Sequence, residues 1–158
     1  MVPVDACRYF FNAKPETQME FDLGLAVRED SENPVYYVQY AHARICTLLK
    51  NLAADGHTVP SPDAVDFSLL TDPTELALIK QIAGYSDIVR LAARDYDPSF
   101  INRYLTDLAA AFHKFYNACR IKGEAEDLLN ARLLLADTAR SVLKNGMELI
   151  GCSAPEKM

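Results

Sequence analysis

From Val35 to about Ala54, apolar and aromatic residues recur three and four positions apart, at Tyr37, Ala41, Ile45, Leu48, Leu49 and Leu52. That spacing is one face of a long amphipathic helix. Ser31-Glu32-Asn33-Pro34 precedes it as a cap-like entry, with Pro34 near the first helical position, where its missing N–H costs nothing. The stretch DGHTVPSPDAVD then reads as a Gly/Pro-punctuated loop. Asp72, Pro73 and Glu75 open a further helix in a capping arrangement, and Gly84 marks a break before a second helical pattern at Ile88, Leu91 and Ala92. Asp97-Pro98 starts another helix, whose stripe holds Phe100, Ile101, Tyr104, Leu105, Leu108, Ala111, Phe112 and Phe115. The last periodic stretch, KGEAEDLLNARLLLADTARSVLKNGMELIG, carries acidic residues in its first turn and Arg140 and Lys144 near its end, as the helix dipole prefers. Asn145-Gly146 is a candidate stop.

The front of the chain is less regular. Residues 3 to 12 end on Tyr9, Phe10 and Phe11, an aromatic cluster in want of cover. Met19, Phe21, Leu23 and Leu25 alternate, which suits either a short strand or the start of a helix. With few partners nearby in sequence, the first thirty residues are expected to be partly disordered or covered by a second copy. The sum is an all-α bundle of about five to six helices.

A chain of 158 residues suffices for one domain with a real core. Half its residues are apolar, which excludes general disorder. No apolar run approaches the ~20 residues that a membrane span needs, and no secretory pattern opens the chain. A cytoplasmic protein with no membrane partner is expected. Cys7, Cys46, Cys119 and Cys152 lie far apart, as do His42, His57 and His113. Reduced thiols, mostly in the core, and no metal site follow.

The net charge of −6 weighs against a nucleic-acid partner until its distribution is considered. Residues 1 to 100 carry 8 basic and 15 acidic side chains, whereas 101 to 158 carry 8 and 7. A locally neutral or positive face is therefore available, although long-range attraction must be weak. The sequence holds no phosphate-binding glycine loop, dinucleotide fingerprint, nucleophile elbow or zinc-protease helix motif. No catalytic residue is assigned.

The remaining chemistry is aromatic and basic. Tyr36, Tyr40 and Arg44 fall four apart and share one side of their helix. Tyrosines and an arginine so placed can stack on unpaired bases and touch phosphate. Spacing alone equally permits packing tyrosines with wet tips. FHKFYNACR repeats the mixture around Tyr116, with His113, Lys114 and Arg120 nearby. Two functional classes stay open on these grounds: RNA binding, or an aromatic face that docks another protein domain.

Four separated motifs, NPVYYVQYAHARIC, RYLTDLAAAFHKFYNACRI, ARLLLADTARSVLKNGMELIG and the closing SAPEKM, together resemble the C-terminal region of bacterial arginyl-tRNA synthetases. This is the helical anticodon-binding module often called the DALR domain. The tetrapeptide of that name is blurred to ADTAR here. The leading VDACRYFF and MEFDLGLA resemble the stretch where the catalytic domain hands over to the module, which implies residues 1–30 as the end of the catalytic domain or a connecting segment and residues 31–158 as the module. The resemblance further implies a role in protein biosynthesis. The family's catalytic domain carries His-Ile-Gly-His-like and Lys-Met-Ser-Lys-Ser-like signatures, neither of which occurs here. By itself the chain is expected not to activate arginine; ATP, with Mg²⁺, would serve the full-length enzyme, and this chain needs no cofactor.

The resemblance also implies a pocket for unstacked anticodon-loop bases of arginine tRNA, not DNA. Its residues would be the tyrosine of the QYAH motif, Tyr40, together with Tyr116 and the closing Met158, with Tyr37 holding the helix in the bundle and Tyr36 undecided. Arg44, Lys114, Arg120 and Lys157 are the secondary candidates for offsetting phosphate charge.

Overall fold

The computed structural model describes residues 1–158 except Glu16 and Met19. Among the described residues every regular element is helical: α1 (Val4–Ala13), the single turn α2 (Leu23–Ala26), α3 (Pro34–Ala54), α4 (Pro73–Ala83), α5 (Tyr85–Asp95), α6 (Ser99–Ala118) and α7 (Glu126–Leu149), with two short 3₁₀ turns between α3 and α4. Six of these helices have ten residues or more, as the periodicity predicts. The alternating stretch resolves as the turn α2, and the part of that reading that rests on Met19 lies outside the described residues.

Local chemistry sets the boundaries. The Asn33 side chain accepts the Val35 N–H at the start of α3, with Pro34 at the first helical position. Asp72 and Glu75 form a full capping box on α4: the Asp72 carboxylate accepts the Thr74 N–H at 2.8 Å, and Glu75 accepts the Asp72 N–H at 2.8 Å. Gly84 joins α4 to α5.

The core forms where α6 lies against α3, α4, α5 and α7. Phe112, Phe115, Leu105 and Leu108 of α6 meet Val38, Ala41 and Ile45 of α3, Leu78 of α4 and Leu143 and Met147 of α7, all without solvent exposure. This leaves Tyr37 and Leu48, expected in the core stripe, at its half-buried edge. The inward stripe of α3 is rotated towards Val38 and His42.

Two expectations need correction. Gly146 does not end the last helix: α7 runs through it to Leu149. A Cβ at Gly146 would stand 2.7 Å from Leu105 Cδ2, so the glycine is there to let α6 approach closely. Tyr9, expected to lack cover within this chain, is 2% exposed against α6. Its hydroxyl donates to the Asn102 carbonyl at 2.9 Å, and the Asn102 amide donates back to the Tyr9 carbonyl at 2.9 Å. Burial pushes the Tyr9 hydroxyl up to about 12, so it stays protonated and able to donate. Phe10 and Phe11 both pack on Phe21, at 5.6 Å between ring centres, although Phe11 keeps much of its surface in solvent. Helix α1 is thus docked by its own chain, on α6 and α3.

Candidate nucleic-acid interface

On the outer side of α3, Tyr36 and Tyr40 stand one turn apart with their rings nearly parallel, 6.3 Å between centres and 7° between planes. Tyr40 is 42% exposed and the most open of the α3 tyrosines. Across the groove, α6 contributes His113, whose ring lies 5.9 Å from that of Tyr40 and 5.1 Å from that of Tyr37. These groups, with Ser31, Arg44 and Asn117, line an open cleft of about 360 Å³. Tyr37, half-buried, joins this wall to the bundle, and burial raises its pKa.

One turn further along, Arg44 lays its guanidinium over the Tyr116 ring, 4.2 Å from the ring centre. Tyr116 packs from behind on Phe112 at 5.8 Å and opens on its other side to a second concavity, with Leu48, Arg120 and Ile121. Met158, half-exposed, lines a third, between α1 and α3, whose wall includes Asp5, Gln39 and Tyr36. Tyr36 belongs to both the Met158 groove and the Tyr40 cleft.

The expected single pocket is therefore three adjoining concavities along one strip, running from Met158 through Tyr36, Tyr40 and His113 to Arg44, Tyr116 and Arg120. The cause is helical: Tyr40 and Tyr116 sit on facing helices with Arg44 wedged between their positions, while the tail reaches the strip from the side of α1. Of the secondary candidates, Arg44 and Arg120 join the strip; Lys114 and Lys157 are exposed and line none of the three concavities. Among the described residues none of these four cations forms an ion pair, in contrast to Arg28, Arg90, Arg94, Lys122, Arg132 and Arg140.

The tail is held by groups that the spacing did not single out. His42, 1% exposed, donates Nδ1–H to the Pro155 carbonyl at 2.9 Å, which fixes its tautomer because a carbonyl only accepts. Gln39 donates to Asp5 at 2.8 Å and to the Ser153 carbonyl at 3.1 Å. Asp5 accepts the Ser153 N–H at 3.1 Å, and Arg8 donates to the Gly151 carbonyl at 2.7 Å. The QYAH motif carried the signal for Gln39 and His42, which flank Tyr40. Asp5 and Arg8 were not findable, being over 140 residues away from their partners.

Cys119 and Cys152 are buried, and Cys7 and Cys46 are half-buried. Burial pushes Cys152 up to about 11 and raises Cys46 and Cys119, so they stay protonated and weakly nucleophilic. No three-residue His/Cys/Asp/Glu group suited to a metal ion occurs among the described residues. No helix among them is long and apolar enough to cross a membrane.

Acid sensitivity follows from two imidazoles. Burial lowers the pKa of His42, helped by Arg140 and Lys144 and opposed by the Pro155 carbonyl and Glu156. Burial, with Arg44, lowers that of His113. Each folded-state value lies below the unfolded one, so the unfolded chain binds the extra proton first. Unfolding free energy is expected to be level above the ordinary imidazole value of about 6.5 and to fall as pH drops through it. Urea titrations between neutral and mildly acidic pH check this, and His42→Gln should flatten the fall.

Residues 38–158 match the family model of the DALR anticodon binding domain, most of the chain's length. The chain belongs to the DALR anticodon-binding domain family. An arginine–tRNA ligase of Ruminiclostridium cellulolyticum is 50% identical to it over 155 residues, 98% of this chain and 28% of the relative. The arginine–tRNA ligase of Acetivibrio thermocellus is 48% identical over the same shares. The solved Thermus thermophilus arginyl-tRNA synthetase superposes on all of this chain with 27% of its own, at TM-score 0.84 and 30% identity. This DALR chain thus spans a little over a quarter of the length of the curated relatives it matches, and the match is to their anticodon-binding part. Nothing in these matches favours the protein-docking alternative.

Proposed function

We propose that the strip on α3 and α6 holds the anticodon loop of an arginine tRNA, with Tyr40 and Tyr116 as stacking surfaces and Met158 as a mouldable edge. One observation carries this reading: a pair of nearly parallel tyrosine rings, one half-buried and one exposed, stands beside cations that among the described residues form no ion pair. A protein whose aromatic face only packed against itself would bury Tyr40, and surface arginines in an acidic chain commonly find carboxylate partners. Splayed bases stack on tyrosine at about 1–3 kcal/mol each, and a thioether adapts to a base or sugar. Arg44 and Arg120 lie where a loop backbone would pass; Lys114 and Lys157 supply weaker, mobile charge.

Residues 1–30 act as the connection from a preceding catalytic domain, and residues 31–158 as the binding module. The whole protein would attach arginine to its tRNA with ATP and Mg²⁺ in that domain. Its working compartment is the cytoplasm, where tRNA is charged.

The test is a titration of the 158-residue chain with an arginine anticodon stem-loop beside one of altered anticodon. Binding is expected to favour the first and to be weak. With four cations at about 0.7 released counterions each, the slope of log K against log salt should be no steeper than about −3. No binding of either loop, or a slope near zero, would refute the reading, whereas equal affinity for both loops would cut it back to RNA binding without anticodon choice.

A further inference from the structure

His113 is the polar group that this fold leaves unexplained. Both of its ring nitrogens are shut off from solvent, and among the described residues neither has a hydrogen-bond partner. Buried polar groups without partners are rare and costly in folded proteins, so one at the wall of an open cleft calls for a reason. Packing alone does not supply it, because an apolar ring of similar size would fill the space between Tyr37, Tyr40 and Phe112 without that cost.

The surroundings bias what the ring can do. Burial and the nearby Arg44 disfavour a second positive charge and lower the pKa of the ring, so it is neutral at physiological pH. A neutral imidazole has one N–H to donate and one lone pair to accept. Its ring lies 5.9 Å from that of Tyr40, which is 42% exposed and stands on the outer wall of the cleft. A base that stacks on Tyr40 and moves it aside meets this ring edge-on.

We propose that His113 is the specificity-determining residue of the cleft: it pairs with the Watson–Crick edge of a base drawn in beside Tyr36 and Tyr40. Stacking on tyrosine accepts any base and supplies affinity; the imidazole rejects bases whose donor or acceptor falls in the wrong place. This rests on the RNA-binding reading above and adds to it which group discriminates.

The experiment compares the wild-type chain, His113→Phe and His113→Gln on a set of stem-loops that differ at one anticodon base at a time. In wild type the preferred loop should bind about tenfold better than the worst, the scale of one base contact. His113→Phe should bind all loops within a few-fold of one another, and His113→Gln, which keeps a donor and an acceptor, should restore part of the preference. Preference retained in full by His113→Phe overturns the proposal while leaving RNA binding intact. Wild-type binding without preference does the same. No binding of any loop by wild type overturns both. Imidazole nitrogen NMR shifts of His113 give a readout that needs no variant: they should move on adding the preferred loop and stay put on adding the worst, and shifts unchanged by the preferred loop overturn the proposal.

Discussion

Arg132→Ala is expected to lower the unfolding free energy by about 3–5 kcal/mol, the usual cost of leaving one member of a buried ion pair alone. In a chain of this size that is a fall in Tm of about 10 °C. Glu75 has no solvent exposure, and Arg132 keeps 12% of its side chain in solvent. One Glu75 oxygen accepts the Asp72 N–H that completes the α4 capping box; the other accepts Arg132 Nε at 2.6 Å. Arg132 also donates to the Arg120 carbonyl beyond the end of α6 and stands 3.6 Å from Glu124. A single guanidinium on α7 thus ties down the start of α4 and the exit of α6. Without it, a buried carboxylate keeps only one backbone donor, and water reaches it only by disturbing the helix entry. Replacing both partners by apolar residues, Glu75→Leu with Arg132→Met, should cost less than Arg132→Ala alone, because no charge is then stranded. Urea denaturation followed by circular dichroism distinguishes the cases. A double variant as unstable as the single one would place the loss in helix capping and not in the ion pair.

The periodicity of α3 through α7 was legible because each buries one stripe, and caps such as Asn33-Pro34 and Asp72-Pro73-Glu75 announce themselves within four residues. Gly146 misled because a glycine late in a helix signals either a stop or a close neighbour, and the neighbour, Leu105, lies on another helix. The cover of Tyr9 by Asn102 spans 93 residues and leaves no trace in local pattern. The site divides the same way. The i, i+4 spacing put Tyr36, Tyr40 and Arg44 on one side of α3, and the structure places all three along the strip. That His113 lies under Tyr37 and Tyr40, and that the tail enters beside Asp5, depend on how α6 and α1 pack against α3. No spacing rule within one helix contains that information.

Removing both rings, Tyr40→Ala with Tyr116→Ala, is expected to weaken binding of the arginine anticodon stem-loop by about 2–6 kcal/mol, from about 1–3 per stacked base. The two single variants should be unequal. Tyr40 already faces solvent, so a base can use it at the cost only of its ring contacts with Tyr36 and His113. Tyr116 is covered on one face by Arg44, and a base taking that face must lift the guanidinium away, at about 0.5–1 kcal/mol for an exposed cation–π contact. Tyr116→Ala therefore forfeits less affinity than Tyr40→Ala, although it costs more stability because its ring backs onto Phe112. Arg44 is adjacent to both rings, so the losses need not be additive: a double-mutant cycle should show a coupling above the ~0.3–0.5 kcal/mol expected of independent sites, and Arg44→Ala should abolish that coupling. Tyr40→Phe is the control, since it keeps the stacking face and drops only the hydroxyl. Single alanine variants that are folded and bind like wild type would remove the tyrosines from the interface.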